Sequence, residues 1–321
     1  MARELMLLRH GKSDWSQQLD DFKRPLKDRG KRGAQRMGVW LLQQRLQPDF
    51  VISSPAERAI VTAQKTIKTM GGDASAIKQD RRIYAANVNE LLEVLADVPA
   101  ESKRVMLVGH NPGLEMLTEY LHGQRIPMPS DGKLIPTATL ALIEMPDDWR
   151  DLQAGDGELL SLVRPSSMHK KFPFPDEHGT EMRDRPAYYY KQSSVIPYRI
   201  ADGNVEILVV MSSKRKHWVL PKGISEPALS LQESAAKEAL EEAGVEGEVA
   251  QEPIGSYTYE KWGAECTVSV YPMRVTREIP ENEWQENHRG REWLTPKEAV
   301  KRVKQVELKP MIQALAKQLK G

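Results

Sequence analysis

The stretch that most constrains the fold is a glutamate-rich helix signal between residues 230 and 244. Ser230 followed three residues later by Glu233 is a capping-box pattern, and Gly244 is a typical C-terminal stop. This pattern predicts a helix from about residue 231 to residue 243. At 100° per residue, one face carries three carboxylates, those of Glu238, Glu241 and Glu242. The opposite face, expected to pack closely on a sheet, consists of Ala236, Ala239, Leu240 and Ala243.

The three clustered carboxylates predict a cation site. Like charges three and four residues apart destabilise a bare helix by roughly 0.2 to 0.5 kcal/mol per pair, and a bound divalent cation would remove that penalty. Because carboxylate oxygens are hard ligands, we expect Mg²⁺ or Mn²⁺. A solvated acidic helix face is the simpler alternative, and the residues in front of the helix decide between the two.

Residues 219–223, Val-Leu-Pro-Lys-Gly, precede the helix, and residues 237–245 read Lys-Glu-Ala-Leu-Glu-Glu-Ala-Gly-Val. Together they resemble the Nudix box of pyrophosphate hydrolases. The positions in register with the family pattern are Gly223, Glu238, Glu241, Glu242, Gly244 and Val245. The resemblance implies an α/β/α sandwich with a mixed sheet and a metal site formed by Gly223, Glu238, Glu241 and Glu242. It also implies catalytic roles for Glu241 and Glu242, and substrate binding by Lys222.

Two positions depart from the family pattern. Leu229 stands where the first glutamate belongs, and Lys237 stands where an arginine belongs. In the family these two side chains are thought to pair, and a fork-shaped guanidinium is not needed without its carboxylate. The departures leave two alternatives open, a catalytic Nudix site and a module that senses nucleotides without cleaving them.

Composition bounds the class of protein. A chain of 321 residues predicts two domains. With 46 Lys and Arg against 45 Asp and Glu, the net charge of +1 argues against a general nucleic-acid binder or membrane-surface binder. The single cysteine, Cys266, excludes an intrachain disulfide and fits a reducing, cytoplasmic location. The apolar run that ends at Arg9 is too short for a signal peptide or a membrane helix.

The first 165 residues repeat one pattern three times. Short apolar runs at 5–8, 50–52 and 105–108 are each followed by a polar tip and a helical pattern. Such runs suit buried parallel strands, and open α/β sheets bind ligands at the carboxyl ends of their strands. The pattern predicts an α/β domain with a doubly wound, mostly parallel sheet, which strands near 138–143 and 159–163 complete.

The polar tips bring together two histidines and two arginines, a set suited to a phosphoryl group that one imidazole attacks while the cations hold its oxygens. These residues resemble the histidine phosphatase superfamily, and Arg24-Pro25-Leu26 suggests its compact SixA-like, phosphohistidine phosphatase branch. The resemblance implies that His10 is the nucleophile and that no metal or other cofactor is needed. It places in the phosphate pocket Arg9, Arg58 and His110, with Arg24 as a further substrate-binding residue.

Many relatives also carry an acid that protonates the leaving group. Asp14, Glu90 and Glu115 are the candidates, and the sequence does not choose among them. If the acid is absent, we expect substrates with good leaving groups, phosphohistidine among them.

Residues 166–185 are rich in proline and lack periodicity, which predicts a linker between domains 1–165 and 186–321. In the second domain, Asp202-Gly203-Asn204 predicts a hairpin turn. Lys214 and Arg215 belong to a basic run expected to contact substrate phosphates, a layout similar to Nudix enzymes acting on diphosphoinositol polyphosphates and dinucleoside polyphosphates. Glu286 is the expected acid of a late loop, and residues 299–319 predict one terminal amphipathic helix.

The sequence thus predicts a cytoplasmic bifunctional phosphohydrolase. Its Nudix half would use Mg²⁺ to cleave a phosphoanhydride in a nucleoside diphosphate or triphosphate, a dinucleoside polyphosphate or a diphosphoinositol compound. Its other half would remove a phosphoryl group through phosphohistidine. The partners are a small phosphorylated or nucleotide substrate and a phosphohistidine protein, with no nucleic acid and no membrane. The alternative is a phosphohistidine protein phosphatase with a non-catalytic, nucleotide-sensing Nudix module, and a third interpretation keeps only the Nudix half active.

Overall fold

The computed structural model describes residues 3–16, 18–177 and 179–319. The chain folds as two compact units, Met1–Phe172 and Pro173–Gly321. Within the described residues, no helix has the length and apolar character needed to cross a membrane.

Six strands and four helices form the described part of the N-terminal unit. The strands are β1 (Arg3–Arg9), β2 (Phe50–Ser53), β3 (Lys78–Gln79), β4 (Arg104–Gly109), β5 (Leu140–Met145) and β6 (Glu158–Val163). The helices are α1 (Asp28–Gln43), α2 (Glu57–Thr69), α3 (Val88–Ala96) and α4 (Gly113–His122). Short 3₁₀ turns lie at Asp21–Lys23, Ala74–Ala76, Arg81–Ile83 and Pro165–Ser167.

The sheet of this unit has the order β3-β2-β4-β1-β5-β6. Strands β3, β2, β4 and β1 run parallel, and β5 and β6 are added antiparallel at one side. Alternate side chains of β1 face opposite layers. Leu7 packs in the cluster that contains Leu91 of α3, whereas Leu8 packs in the cluster that contains Met37 of α1. Helices therefore cover both faces, and the predicted doubly wound, mostly parallel sheet is confirmed.

The parallel strands position the first site. The residues that follow β1, β2 and β4 are His10, Ser54 and His110. Because carboxyl ends of parallel strands meet at one edge of the sheet, these side chains lie together there.

From residue 172 onward, the residues that the structure describes form ten strands and three helices. The strands are β7 (Phe172–Asp176), β8 (Gly179–Arg183), β9 (Lys191–Ala201), β10 (Asn204–Met211), β11 (Trp218–Val219), β12 (Lys222–Ile224), β13 (Val245–Val249), β14 (Gly255–Lys261), β15 (Ala264–Glu278) and β16 (Arg291–Leu294). The helices are α5 (Leu231–Ala243), α6 (Pro296–Arg302) and α7 (Leu308–Gln318), with 3₁₀ turns at Ala187–Tyr190 and Asn287–Arg289.

The main sheet of the C-terminal unit is mixed. Its central order is β11-β10-β9-β15-β13, with β12 on β9, β14 on β15 and β16 on β10. Strands β9 and β15 are parallel, and the other pairs are antiparallel. Val210 packs with Ala239 of α5 on one face, and Val209 packs with Ile312 of α7 on the other. This arrangement confirms the predicted α/β/α sandwich.

The segment predicted as a linker contains regular structure. Strands β7 and β8 pair with each other as a two-stranded sheet. The guanidinium of Arg183 lies 3.5 Å from the ring centre of Phe174, which in turn packs edge-on against Tyr190. The Phe-Pro-Phe-Pro sequence of β7 does not predict a strand, because proline is rare in sheet interiors. Proline is accepted on an edge strand such as this one.

The prediction of one terminal helix is wrong, because two helices, α6 and α7, occupy this region. The chain is extended at Val303, which is buried and forms an isolated parallel bridge with Trp218. The Lys304 N–H also donates to the Trp218 carbonyl at 3.2 Å. This local strand pairing interrupts the helical hydrogen bonds that the apolar periodicity alone would allow.

Candidate active sites

The first site is centred on His10, directly after β1. The side chain is buried, and Nδ1 lies 2.8 Å from the Gly11 carbonyl. A carbonyl only accepts, so Nδ1 carries the proton and Nε2 carries the free electron pair. Burial lowers the pKa of His10 to about 4, with the Gly11 hydrogen bond opposing and the charges of Arg58, Arg9 and Arg24 adding to the effect. His10 is therefore neutral and nucleophilic at neutral pH.

Three guanidinium groups surround this imidazole. They come from the end of β1, from the loop before α1 and from the second residue of α2, as Arg9, Arg24 and Arg58. Among the described residues, their buried nitrogens without a hydrogen-bond partner are Arg9 Nε, Arg24 Nε and Nη1, and Arg58 Nε. An unpaired buried donor costs roughly 1 to 3 kcal/mol. The oxygens of a phosphoryl group would satisfy these donors, so the cluster fits a phosphate.

His110 completes the site from the end of β4. Its ring centre lies 5.1 Å from that of His10, and Nε2 lies 2.9 Å from Ser54 Oγ. Ser54 Oγ also accepts from the Ala56 N–H at 3.3 Å, and within the described residues the buried Nδ1 of His110 has no hydrogen-bond partner. Burial, followed by the charges of His10 and Arg58, lowers the pKa of His110 to about 3.

Sequence reasoning missed Asp21 in the loop before α1. Its carboxylate lies 2.6 Å from Arg24 Nη2, accepts from Arg58 Nη2 at 2.8 Å and accepts from the Tyr84 hydroxyl at 2.8 Å. The Arg24 guanidinium also stacks on the exposed Trp15, and its central carbon lies 3.4 Å from the centre of that ring. An acid three residues before Arg24 is the sequence signal that could have indicated this pairing.

The three acids considered as proton donors make other contacts. Asp14 accepts from the Ser16 N–H at 3.0 Å and lies 3.7 Å from Lys27 Nζ. Glu90 forms the capping box of α3, and Glu115 accepts from the Ile135 N–H at 2.9 Å. Each carboxylate therefore has a local structural role.

The second site is built on α5. The predicted limits of this helix, its capping box and its glycine stop are confirmed. The predicted buried face is partly wrong, because Ala235 is buried where Ala236 was expected and Leu240 is exposed. Strand β12 packs on the side of α5 that bears Glu238 and Glu242. The buried face of the helix is therefore rotated toward these glutamates.

The carboxylates of α5 are crowded between the helix and β12. A Cβ at Gly223 would overlap the Glu238 carboxylate, so any other residue there would move this carboxylate from its present position. Burial, followed by the charges of Glu242 and Glu241, raises the pKa of Glu238 to about 8. Glu242 accepts from the Lys222 N–H at 3.1 Å and pairs with Arg289 Nη2 at 2.6 Å. Burial is also the main cause that raises the pKa of Glu242.

This donor set fits a hard divalent cation. It offers carboxylate oxygens and the carbonyl of Gly223, and its mutual repulsion would be relieved by a positive charge. In residues 3–16, 18–177 and 179–319, no three His, Cys, Asp or Glu side chains already form a metal-holding group. Glu242 could act as a cation ligand only if its side chain moved away from Arg289.

The predicted substrate-binding residues lie in two places. Lys214 and Arg215 are exposed in the turn between β10 and β11, where Arg215 has a left-handed backbone. The Lys222 ammonium is buried under β9, where it donates to Gln192 Oε1 at 2.7 Å and to the Tyr259 hydroxyl at 2.8 Å. Burial lowers the pKa of Lys222.

Glu286, the predicted late-loop acid, forms an ion pair with Arg289. Since Arg289 also pairs with Glu242, Glu286 is connected to the carboxylate cluster through one guanidinium.

The two departures from the Nudix pattern also have a defined geometry. Lys237 Nζ lies 3.1 Å from Glu226 Oε1 and 3.9 Å from Glu241 Oε1. Leu229 is partly exposed. The partner of Lys237 is thus an acid three residues before position 229.

Comparisons with known proteins match one family in each half of the chain. Residues 5–84 match the Histidine phosphatase superfamily (branch 1), and residues 191–315 match the NUDIX domain. Nudix hydrolase 12, mitochondrial, of Arabidopsis thaliana is 32% identical over 143 residues, which cover 37% of this chain and 70% of that protein. An uncharacterised protein of Mycobacterium tuberculosis is 28% identical over 167 residues, 49% of this chain and 99% of that protein. A solved structure assigned as phosphohistidine phosphatase SixA from Agrobacterium tumefaciens is 27% identical, with a TM-score of 0.44, and covers 51% of this chain and 99% of that chain.

The two folds and the family matches define a two-domain phosphohydrolase. The chain belongs to the Nudix hydrolases through its C-terminal half, and residues 5–84 of its N-terminal half match the histidine phosphatase superfamily.

Proposed function

We propose that the N-terminal domain removes a phosphoryl group through a phosphohistidine at His10. The electron pair of Nε2 attacks the phosphorus, and the bond to the leaving group breaks with its electrons on that group. Water then attacks the phosphorus, the P–N bond breaks and its electron pair returns to Nε2. Arg9, Arg24 and Arg58 bind the phosphoryl oxygens in both steps.

The substrate of this domain is proposed to be a phosphohistidine protein or a small phosphorylated compound with a good leaving group. Burial acts to raise the pKa of Asp21, but hydrogen bonds from Tyr84 and Arg58 outweigh it and lower that pKa. The carboxylate beside the arginines is thus ionised at neutral pH and has no proton to donate. A leaving group that needs little protonation suits such a site.

For the Nudix domain, we propose hydrolysis of a phosphoanhydride with Mg²⁺ or Mn²⁺. Gly223, Glu238, Glu241 and Glu242 would hold the cation. When bound, the cation would polarise the phosphate oxygens and lower the pKa of water. Glu241 and Glu242 are the proposed proton acceptors, and Lys214 and Arg215 would bind substrate phosphates. The substrate class is a nucleoside diphosphate or triphosphate, a dinucleoside polyphosphate or a diphosphoinositol compound.

The observation that carries this proposal is the crowding of Glu238 between Glu241, Glu242 and Gly223, a carboxylate cluster that a divalent cation would stabilise. The test uses full-length protein with and without Mg²⁺. We expect His10→Ala to remove the metal-independent phosphatase activity, and Glu241→Gln with Glu242→Gln to remove the metal-dependent reaction alone. If either change silences both activities in a folded protein, the two-site proposal is wrong.

A second candidate function is a nucleotide-sensing Nudix domain without turnover, attached to a phosphohistidine protein phosphatase. Leu229 and the Arg289 contact of Glu242 favour it, because the first removes the acid expected to pair with residue 237 and the second occupies an expected cation ligand. In the full-length His10→Ala protein, nucleotide binding without Mg²⁺-dependent release of products would support this alternative. Hydrolysis of nucleoside triphosphates, sugar nucleotides or dinucleoside polyphosphates would exclude it.

A further inference from the structure

Lys237 lies between two acids of different character. Its ammonium is 3.1 Å from Glu226 Oε1, in the loop before α5, and 3.9 Å from Glu241 Oε1, one helical turn further along α5. Glu241 is one of the proposed cation ligands, whereas Glu226 lies outside the Nudix pattern. The Lys237 ammonium is nearer to Glu226 than to Glu241. Its shorter ion pair is therefore with the acid that is not a proposed cation ligand.

The loop is fixed in a way that places Glu226 against the helix. The Glu226 N–H donates to the buried Ser234 Oγ at 3.0 Å, and the Glu226 carbonyl accepts from the Leu229 N–H at 3.0 Å. The loop is therefore anchored to α5 at Ser234, two positions before Ala236 and three before Lys237. This anchor presents the Glu226 carboxylate to Lys237, while position 229 offers only an aliphatic side chain.

Without a charge at position 226, Glu241 would be the acid nearest to Lys237. Residues four apart on a helix form ion pairs readily. An ammonium closed onto Glu241 would compete with a divalent cation for the same oxygens, because one carboxylate cannot serve both fully.

We propose that Glu226 holds the Lys237 ammonium away from Glu241 and thereby keeps the Glu241 carboxylate open to a divalent cation. Glu226 is thus a positioning residue that acts through Lys237. The inference rests on the proposed metal-dependent function of the Nudix domain, and it explains how this chain can combine Leu229 with Lys237.

The test is a double-mutant cycle on full-length protein, with Mn²⁺ affinity measured by electron paramagnetic resonance in the absence of substrate. Glu226→Gln should weaken Mn²⁺ binding about 10-fold, the lower end of the effect of outer contacts on metal ligands. Lys237→Met should not weaken it. Adding Lys237→Met to Glu226→Gln should restore the affinity of Lys237→Met alone, because no ammonium remains to close onto Glu241. Glu248→Gln, at an exposed position of β13, is the matched control and should bind Mn²⁺ like the wild type.

Two results would overturn the inference. Glu226→Gln that binds Mn²⁺ as tightly as the wild type removes any role for Glu226. An equal loss from Glu226→Gln in the presence and absence of Lys237 means that its charge acts directly on the cation and not through Lys237. Failure of the proposed function looks different, since a wild-type protein that binds no Mn²⁺ refutes the cation site itself and the inference with it. Near-ultraviolet circular dichroism of each variant verifies that the fold is retained.

Discussion

Asp21 Oδ2 accepts a hydrogen bond from Arg58 Nη2 at 2.8 Å, which places a carboxylate within the proposed phosphate-binding cluster of the N-terminal domain. Through Oδ1 the same side chain lies 2.6 Å from Arg24 Nη2. Asp21 thus occupies two guanidinium groups that the proposed phosphoryl transfer needs. The Asp21 carboxylate orients both guanidinium groups, and its negative charge also repels a negatively charged phosphoryl substrate.

We expect Asp21→Asn to bind inorganic phosphate more tightly. The amide keeps the size of the side chain but removes the competing charge, an effect of about 1 kcal/mol or roughly fivefold for a partly exposed ion pair. Competitive inhibition of the phosphatase reaction by phosphate measures it. Asp97→Asn, which alters an exposed ion pair with Arg82, is the control and should leave the inhibition constant unchanged. Weaker inhibition in Asp21→Asn would show that orientation by the carboxylate outweighs repulsion.

The low pKa of His10 predicts how the phosphatase reaction responds to acid. With a pKa near 4 in the native protein, the nucleophile stays neutral as the pH falls through the ordinary histidine value of 6.5. We expect the single-turnover rate of phosphoenzyme formation, corrected for the ionisation of the substrate, to be flat from pH 7.5 to 5 and to fall near pH 4. A half-point near pH 6.5 would contradict the buried environment of His10.

The same shift affects stability with a definite sign. The unfolded chain takes up a proton on His10 near pH 6.5, whereas the native protein does so only near pH 4. The contribution of His10 to stability is therefore full above pH 6.5 and is lost as the pH falls toward 4. In His10→Ala, urea unfolding should show a smaller loss of stability over this interval.

Gly223→Ala should impair the Nudix site selectively. The new methyl group would overlap the Glu238 carboxylate and displace it from β12. We expect Mg²⁺-dependent hydrolysis to fall by at least about 10-fold, as for other disturbances of ligand orientation, with the His10-dependent activity unchanged. Gly255→Ala is the matched control, because its methyl group would meet the flexible Met311 side chain in the same unit. Equal losses in the two variants would point to a general loss of packing.

Glu238 should make the metal-free protein less stable at high pH. Its pKa is about 8 in the native state against an ordinary value of 4.5, so between these pH values the native protein retains a proton that the unfolded chain has lost. The resulting stabilisation is present below pH 4.5 and disappears as the pH rises through 8. We expect the Tm in EDTA to fall across this interval, Glu238→Gln to reduce the slope, and Mg²⁺ to restore most stability above pH 8. A slope that Glu238→Gln leaves intact would assign it to other groups.

Local signals in the sequence were sufficient for much of the fold. The capping box and glycine stop of α5 depend on residues within one turn of each end, and both form as predicted. The Asp202-Gly203 turn likewise joins β9 and β10 as an antiparallel hairpin, as its sequence predicted. The polar tips after β1, β2 and β4 were identifiable because a buried apolar run ends in polar residues at each of them. The sequence-based prediction failed at β7, which contains proline, and at the Val303–Trp218 bridge. In both places, pairing with another segment overrode the local preference of the residues.

The sequence by itself determined the residues of the two proposed sites, because a histidine with arginines at strand tips and a helix with three aligned glutamates are properties of residue type and short spacing. Only the tertiary structure decided which neighbouring groups orient these residues and change their charge. Asp21 meets Arg58 across 37 residues, and Glu226 meets Lys237 across 11, through loops without periodicity. Such pairs depend on how separate elements pack, and burial then fixes the charges, as it does at His10 and Glu238.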